Sequence, residues 1–102
     1  MQIQEINKIK GFVNISNKAG YLIIGADNLK KYNKKLYLIL YSNDSGKSIQ
    51  KVVNNQKLQT NCDIFEVEAQ DFSKIVSIEN CKIIGLKNLG LSKEIIKVIR
   101  GE

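Results

Sequence analysis

Leu36-Tyr37-Leu38-Ile39-Leu40-Tyr41 is an unbroken run of apolar and aromatic residues near the middle of the chain. A strand with one face in water alternates apolar and polar side chains, so an unbroken run suits a central strand covered on both faces. The flanking sequence supplies the covers. Ile3, Ile6, Ile9 and Val13 recur at spacings of three and four with Phe12 alongside, the pattern of a one-faced helix. Gly11 weakens that helix by about 1 kcal/mol relative to alanine, and Gly20 is placed to close it as a left-handed cap.

The alternation continues along the chain. A short strand is expected at Tyr21–Ile24, then a helix from about Ala26 to Asn33, before the central run. Ser42-Asn43-Asp44-Ser45 is a turn and N-cap cluster opening a helix over roughly Gly46 to Leu58. A third strand at Asp63–Val67, a short helix near Ala69–Val76 and a fourth strand at Lys82–Leu86 follow. Ser92 is expected to cap a last helix carrying Ile95, Ile96 and Ile99, with Glu94 in its first turn to complement the helix dipole. Short strands alternating with helices predict an α/β fold, a three-layer α-β-α sandwich around a mixed sheet of about four strands. At 102 residues without proline or a linker-like run, one domain over residues 1–102 is expected.

Sixteen basic residues against ten acidic give a net charge of +6, which favours nucleic acid, anionic lipid or ribosomal partners without selecting among them. Met1-Gln2-Ile3-Gln4-Glu5 lacks the basic and then apolar layout of a signal peptide. No apolar stretch approaches the roughly 20 residues that span a bilayer. A cytoplasmic protein with no membrane contact is therefore expected. Cys62 and Cys81 lack metal-ligand spacing and read as two reduced, partly buried thiols, with a disulfide or redox role as the alternative.

The chain contains no histidine, which removes Ser-His-Asp and Cys-His catalysis, histidine-ligated zinc and the commonest general base. Glu66 and Glu68 would share one face of a strand, as an exposed acidic strand end or, less simply, a carboxylate pair. Gly46-Lys47-Ser48 imitates the end of a phosphate-binding loop, but Tyr41 stands where that motif needs its first glycine. No enzyme, catalytic residue, metal or cofactor is expected.

Polyanion binding survives this elimination. Leu22 to Ile24 ends in Gly25, and polar residues that can open a helix follow at once. A strand turning through a glycine into a helix leaves the first N–H groups of that helix pointing outward, where they attract anions. Lys18, Lys30, Lys31, Lys34 and Lys35 cluster around the turn and the end of its helix. A solvated basic face would look similar; the glycine turn adds geometry to the charge.

Gly25-Ala26-Asp27-Asn28-Leu29-Lys30-Lys31 resembles the Gly-x-Asn-Glu-x-x-Lys signature of the kink-turn-binding ribosomal protein family, the L-seven-Ae and L-thirty-e group, and especially its small bacterial YlxQ-type branch. Gly25 and Lys31 match, while Asp27 and Asn28 stand in the Asn and Glu places. The resemblance extends over about residues 3–100. Asn17-Lys18-Ala19-Gly20 is similar to the basic approach to the first strand, and the run from Lys35 to Leu40 with Asn43-Asp44 resembles the second strand and the next helix cap. Phe72-Ser73-Lys74 sits where the family often has Leu-Gly-Lys, and Lys82 to Leu86 with Leu91-Ser92-Lys93 resembles the closing strand and helix.

The resemblance implies an α-β-α sandwich that grips a sharply bent RNA element. In the family the Asn and Glu contact guanine edges of tandem sheared G·A pairs, the Lys supports them, and an apolar loop closes over a flipped-out base. Ile75-Val76-Ser77-Ile78-Glu79 would be that loop. The implied RNA-binding residues are Lys18, Gly25, Ala26, Asp27, Asn28, Lys31, Lys35, Lys74, Val76 and Ile78. An ionised Asp only accepts hydrogen bonds where an Asn also donates, and Asn28 lacks the charge and reach of Glu. Each altered base contact could cost about 1–3 kcal/mol of discrimination on the DNA readout scale. Asp27 also reads simply as an acidic residue favourable to the dipole of its helix. The expected function is thus a monomeric, non-catalytic binder of structured, kink-turn-like RNA, ribosomal or in another ribonucleoprotein. The alternative is a protein-interaction domain of the same fold with weak, nonspecific RNA binding.

Overall fold

In the computed structural model the apolar run delivers an inner strand, β2 (Leu38–Ser42), whose five residues are all buried. The structure describes residues 1–59 and 62–102. The other elements are α1 (Ile3–Lys18), β1 (Leu22–Ile24), α2 (Ala26–Lys31), α3 (Lys47–Gln59), β3 (Asp63–Val67), α4 (Ala69–Ile75), β4 (Ile83–Leu86) and α5 (Leu89–Arg100). The strands form one mixed sheet in the order β1-β4-β2-β3. Only β2 and β3 are parallel, the pair joined through α3; β4 runs antiparallel to both β1 and β2.

Side chains alternate across a strand, and here the alternation separates two cores. Leu38 and Leu40 point into a cluster with Ile6, Ile9 and Val13 of α1, Phe72 and Ile75 of α4, and Ile95 and Ile96 of α5. Ile39 and Tyr41 point into a smaller cluster with Leu29 of α2 and Val52 and Val53 of α3. Three helices therefore cover one face and two the other, which makes the three-layer sandwich.

The helix ends depart from expectation in instructive places. Gly20 does take a left-handed φ of +78°; behind it Tyr21 N–H donates to Ser16 O at 2.8 Å and Gly20 N–H to Asn17 O at 3.2 Å, the Schellman pattern. Ser92, however, does not cap α5. Asn88 does, its Oδ1 accepting from Leu91 N–H at 2.9 Å, while the Ser92 hydroxyl donates back to Asn88 O at 2.6 Å inside the helix. Glu94 consequently lies beyond the first turn and pairs with Lys97 at 3.7 Å. Asn43 caps neither its own turn nor α3: its Oδ1 accepts from Ala69 N–H of α4 at 3.0 Å. Glu68 lies outside β3 as the N-cap residue of α4, so Glu66 and Glu68 are not strand neighbours on one face. Among the described residues no helix is long and apolar enough to cross a membrane.

Candidate nucleic-acid interface

β1 is tied down beyond its last residue by Gly25 N–H, which donates to Ile83 O at 3.0 Å. The chain then turns sharply, because Gly25 adopts φ +86° and ψ 158°, and α2 begins at Ala26. Asp27 and Asn28 are exposed in the first turn of α2. The Asn28 amide donates to Ile24 O at 2.8 Å, which spends one of its two N–H donors on bracing the turn and leaves the other N–H and the side-chain oxygen for a ligand. Lys31, one turn further along, is exposed and shares a shallow hollow with Asn28, Tyr32 and the edge strand β1.

A second opening, about 370 Å³, lies on the other side of Asn28, lined by Gly25, Ala26, Asp27, Ser48, Asn80 and Lys82 among others. Three elements meet there: the α2 turn, the first turn of α3 and the residues leading into β4. Asn80 holds a left-handed φ of +59°, a conformation that Asn tolerates better than most residues. Lys82 Nζ sits 2.8 Å from Asp44 Oδ2. That lysine, and then the Ser42 hydroxyl that donates to Oδ1, hold the Asp44 carboxyl below its usual range. Lys82 thus brings a cation to the groove but shares it with Asp44. Beneath the turn, burial pushes the Cys81 thiol up, partly offset by the nearby backbone of Ile83 and Gly25.

The structure therefore gathers Gly25, Ala26, Asp27, Asn28 and Lys31 at one end of the sheet. It separates them from Lys18 and Lys35. Lys87 N–H donates to Tyr21 O at 2.8 Å and Tyr37 N–H to Leu86 O at 3.0 Å, so the chain after Lys18 and the chain after Lys35 enter the sheet at the opposite end. The length of β1, about 10 Å at 3.3 Å per residue, lies between. Lys74 is exposed in the last turn of α4, on the other face of the sheet from α2. Val76 is only 3% exposed and belongs to the larger core, and Ile78 is half-buried against it, so this loop presents little apolar surface as it stands. Asn80 was not singled out by sequence, Ser48 entered only through the imitation of a phosphate-binding loop, and Lys82 only as the start of the fourth strand. An Asn ahead of an apolar strand was the one available sign of the left-handed turn at residue 80.

Among the described residues no group of three His, Cys, Asp or Glu side chains comes together to hold a metal. Neither Cys62 nor Cys81 forms a disulfide; the first is half-buried and the second buried.

No protein-family model matches the chain, and no curated protein matches it. Among solved structures, a protein with unknown function from Bacillus halodurans is similar to it, with a TM-score of 0.76 and 20% sequence identity over 91% of this chain and 97% of that one. An identity this low with so high a structural overlap is a likeness of fold: the mixed sheet between two layers of helices is common to both.

Proposed function

We propose that the chain is a non-catalytic, cytoplasmic RNA-binding protein that takes a structured, kink-turn-like RNA at the Gly25 end of its sheet, within a ribosomal or other ribonucleoprotein particle. The observation that carries this reading is the Gly25 turn: a positive-φ glycine that opens α2 between two hollows, with Asp27, Asn28 and Lys31 exposed around it. The first N–H groups of α2 face a phosphate, and Lys31 adds charge one turn away. Asp27 and the Asn28 oxygen are both acceptors, so the bases that suit them present N–H donors, as the guanine N1 and N2 edge does.

Titration of a kink-turn RNA by the parent protein and by Lys31→Ala, repeated over a range of salt, tests the assignment. Lys31→Ala should weaken binding and flatten the dependence of log K on log salt by about 1, since one fewer counterion is released. If the variant binds like the parent at every salt concentration, the site is misplaced. Equal, weak and salt-sensitive binding of the kink-turn and a scrambled duplex would instead favour a protein-interaction domain.

A further inference from the structure

The groove on the Asp27 side of Asn28 has a single cation on its wall. Among the described residues that line it, Lys82 is the only basic one and Asp27 the only acidic one. Lys31 lines the other hollow. A backbone phosphate entering the groove therefore meets Lys82, whose Nζ already stands 2.8 Å from Asp44 Oδ2.

The fold fixes that pair. Ser42 N–H donates to Lys82 O at 2.8 Å, one step beyond the Tyr41–Ile83 pairing of β2 with β4. The hydroxyl of the same serine donates to Asp44 Oδ1, so one residue, itself only 1% exposed, anchors both the lysine's main chain and its partner's carboxylate. The turn that carries Asp44 is tied twice more, by Ser45 N–H to Ser42 O at 3.1 Å and by Asn43 N–H to Val67 O at 2.8 Å. Among the described residues this is the shortest ion pair; the other three measure 3.4, 3.6 and 3.7 Å. Both side chains are nevertheless nearly half exposed, at 45% and 46%, which leaves the pair within reach of a ligand. An exposed pair is weak enough for a phosphate to exchange with the carboxylate. Until that exchange the carboxylate cancels the lysine's charge, and it offers a phosphate only acceptors.

We propose that Asp44 is a specificity-determining residue: it withholds Lys82 from sequence-blind contact with RNA backbone, and an RNA that fills the groove takes the lysine over. This rests on the reading of the Gly25 end as an RNA site. A kink-turn RNA and a scrambled duplex, each labelled and titrated by fluorescence anisotropy, are the probes for the parent, Asp44→Asn, Lys82→Ala and the double variant. Asp44→Asn keeps an oxygen for the Ser42 hydroxyl. It should bind the scrambled duplex about threefold more tightly, the scale of one exposed ion pair, with a salt slope steeper by roughly 0.9. That gain should vanish in the Lys82→Ala background. The kink-turn RNA should gain less, so the preference for it narrows. Glu94→Gln releases Lys97 on the other face of the sheet and changes the net charge equally, yet it should leave both affinities as they were. Urea midpoints matching the parent would certify the variants as folded; an Asp44→Asn protein that failed this control would be replaced by Asp44→Ser, with the same expectation. A gain that survives Lys82→Ala, or that Glu94→Gln reproduces, would overturn the proposal in favour of general charge. Equal gains on the two RNAs would overturn the role in specificity. Asp44 variants that bind like the parent, beside a kink-turn preference still sensitive to Lys31→Ala, would end this inference alone. A parent that binds both RNAs alike and ignores Lys31→Ala would end the reading of the site, and this inference with it.

Discussion

Gly25 holds φ +86° with ψ 158°, a region of backbone space that side-chain-bearing residues essentially never occupy. A Cβ there would meet no heavy atom within 4 Å. The penalty of Gly25→Ala is therefore backbone strain alone, about 1–3 kcal/mol, and it should appear as a lower urea midpoint with an unchanged slope. Gly11, exposed in the helical interior of α1 with equally open space around it, should respond to the same change with the opposite sign, gaining about 0.4–1 kcal/mol. Equal responses at the two positions would show that Gly25 is not held in its turn. The contrast also marks what a sequence discloses at this scale. Gly25 stood out because an apolar run stopped at it and polar residues followed. The bond from the Asn28 amide to Ile24 O was hidden, since nothing local says whether an exposed Asn spends one of its two N–H donors on its own chain or keeps both for a ligand.

The coupling of elements runs through Gly85 of β4. A Cβ added there would lie 2.7 Å from Leu29 Cδ2 and 3.4 Å from Leu36 Cδ2. Leu29 is the fully buried residue of α2, so it yields by an off-rotamer side chain in a packed core or by a shift of the helix that carries Asp27, Asn28 and Lys31. Gly85→Ala should cost about 1–3 kcal/mol of stability by overpacking, and it should weaken kink-turn RNA binding without removing any side chain of the site. Stability lost with affinity kept would mean that the side chains absorb the added methyl and α2 keeps its place. Most elements were legible because their hydrophobic periods are strong, and β3 spans Asp63–Val67 as expected. The start of α5 was obscured by Gly90, which reads as a turn although Asn88 begins the helix before it. α2 ends at Lys31 instead of Asn33 because Tyr32 turns to extended backbone and packs into the smaller core. The order of the strands was not legible. Placing β4 between β1 and β2 depends on pairings between distant segments, and those pairings are also what carry Lys18 and Lys35 away from Gly25.

Across the whole molecule, the stiffness of the sheet decides whether the Gly25 turn would act as a fixed site. Cys81 reports on it. The residue precedes β4, its Sγ donates to Ile83 O at 3.3 Å, and its side chain is part of the larger core. Burial pushes its thiol up, so both access and thiolate fraction oppose alkylation. Cys62 is half-buried at the entry to β3. Under iodoacetamide at mildly alkaline pH, mass spectrometry of the digested chain should find Cys62 modified about 100-fold or more faster than Cys81. Cys81 should react through openings that cost a large part of the global free energy. Its rate should then track denaturant with the slope of global unfolding. A denaturant-independent rate at Cys81 would place a local opening directly under the Gly25 turn. The hydrogen bond from Gly25 N–H to Ile83 O would then break within the native state, and the Gly25 turn would be ordered by the proposed RNA ligand instead of by the sheet.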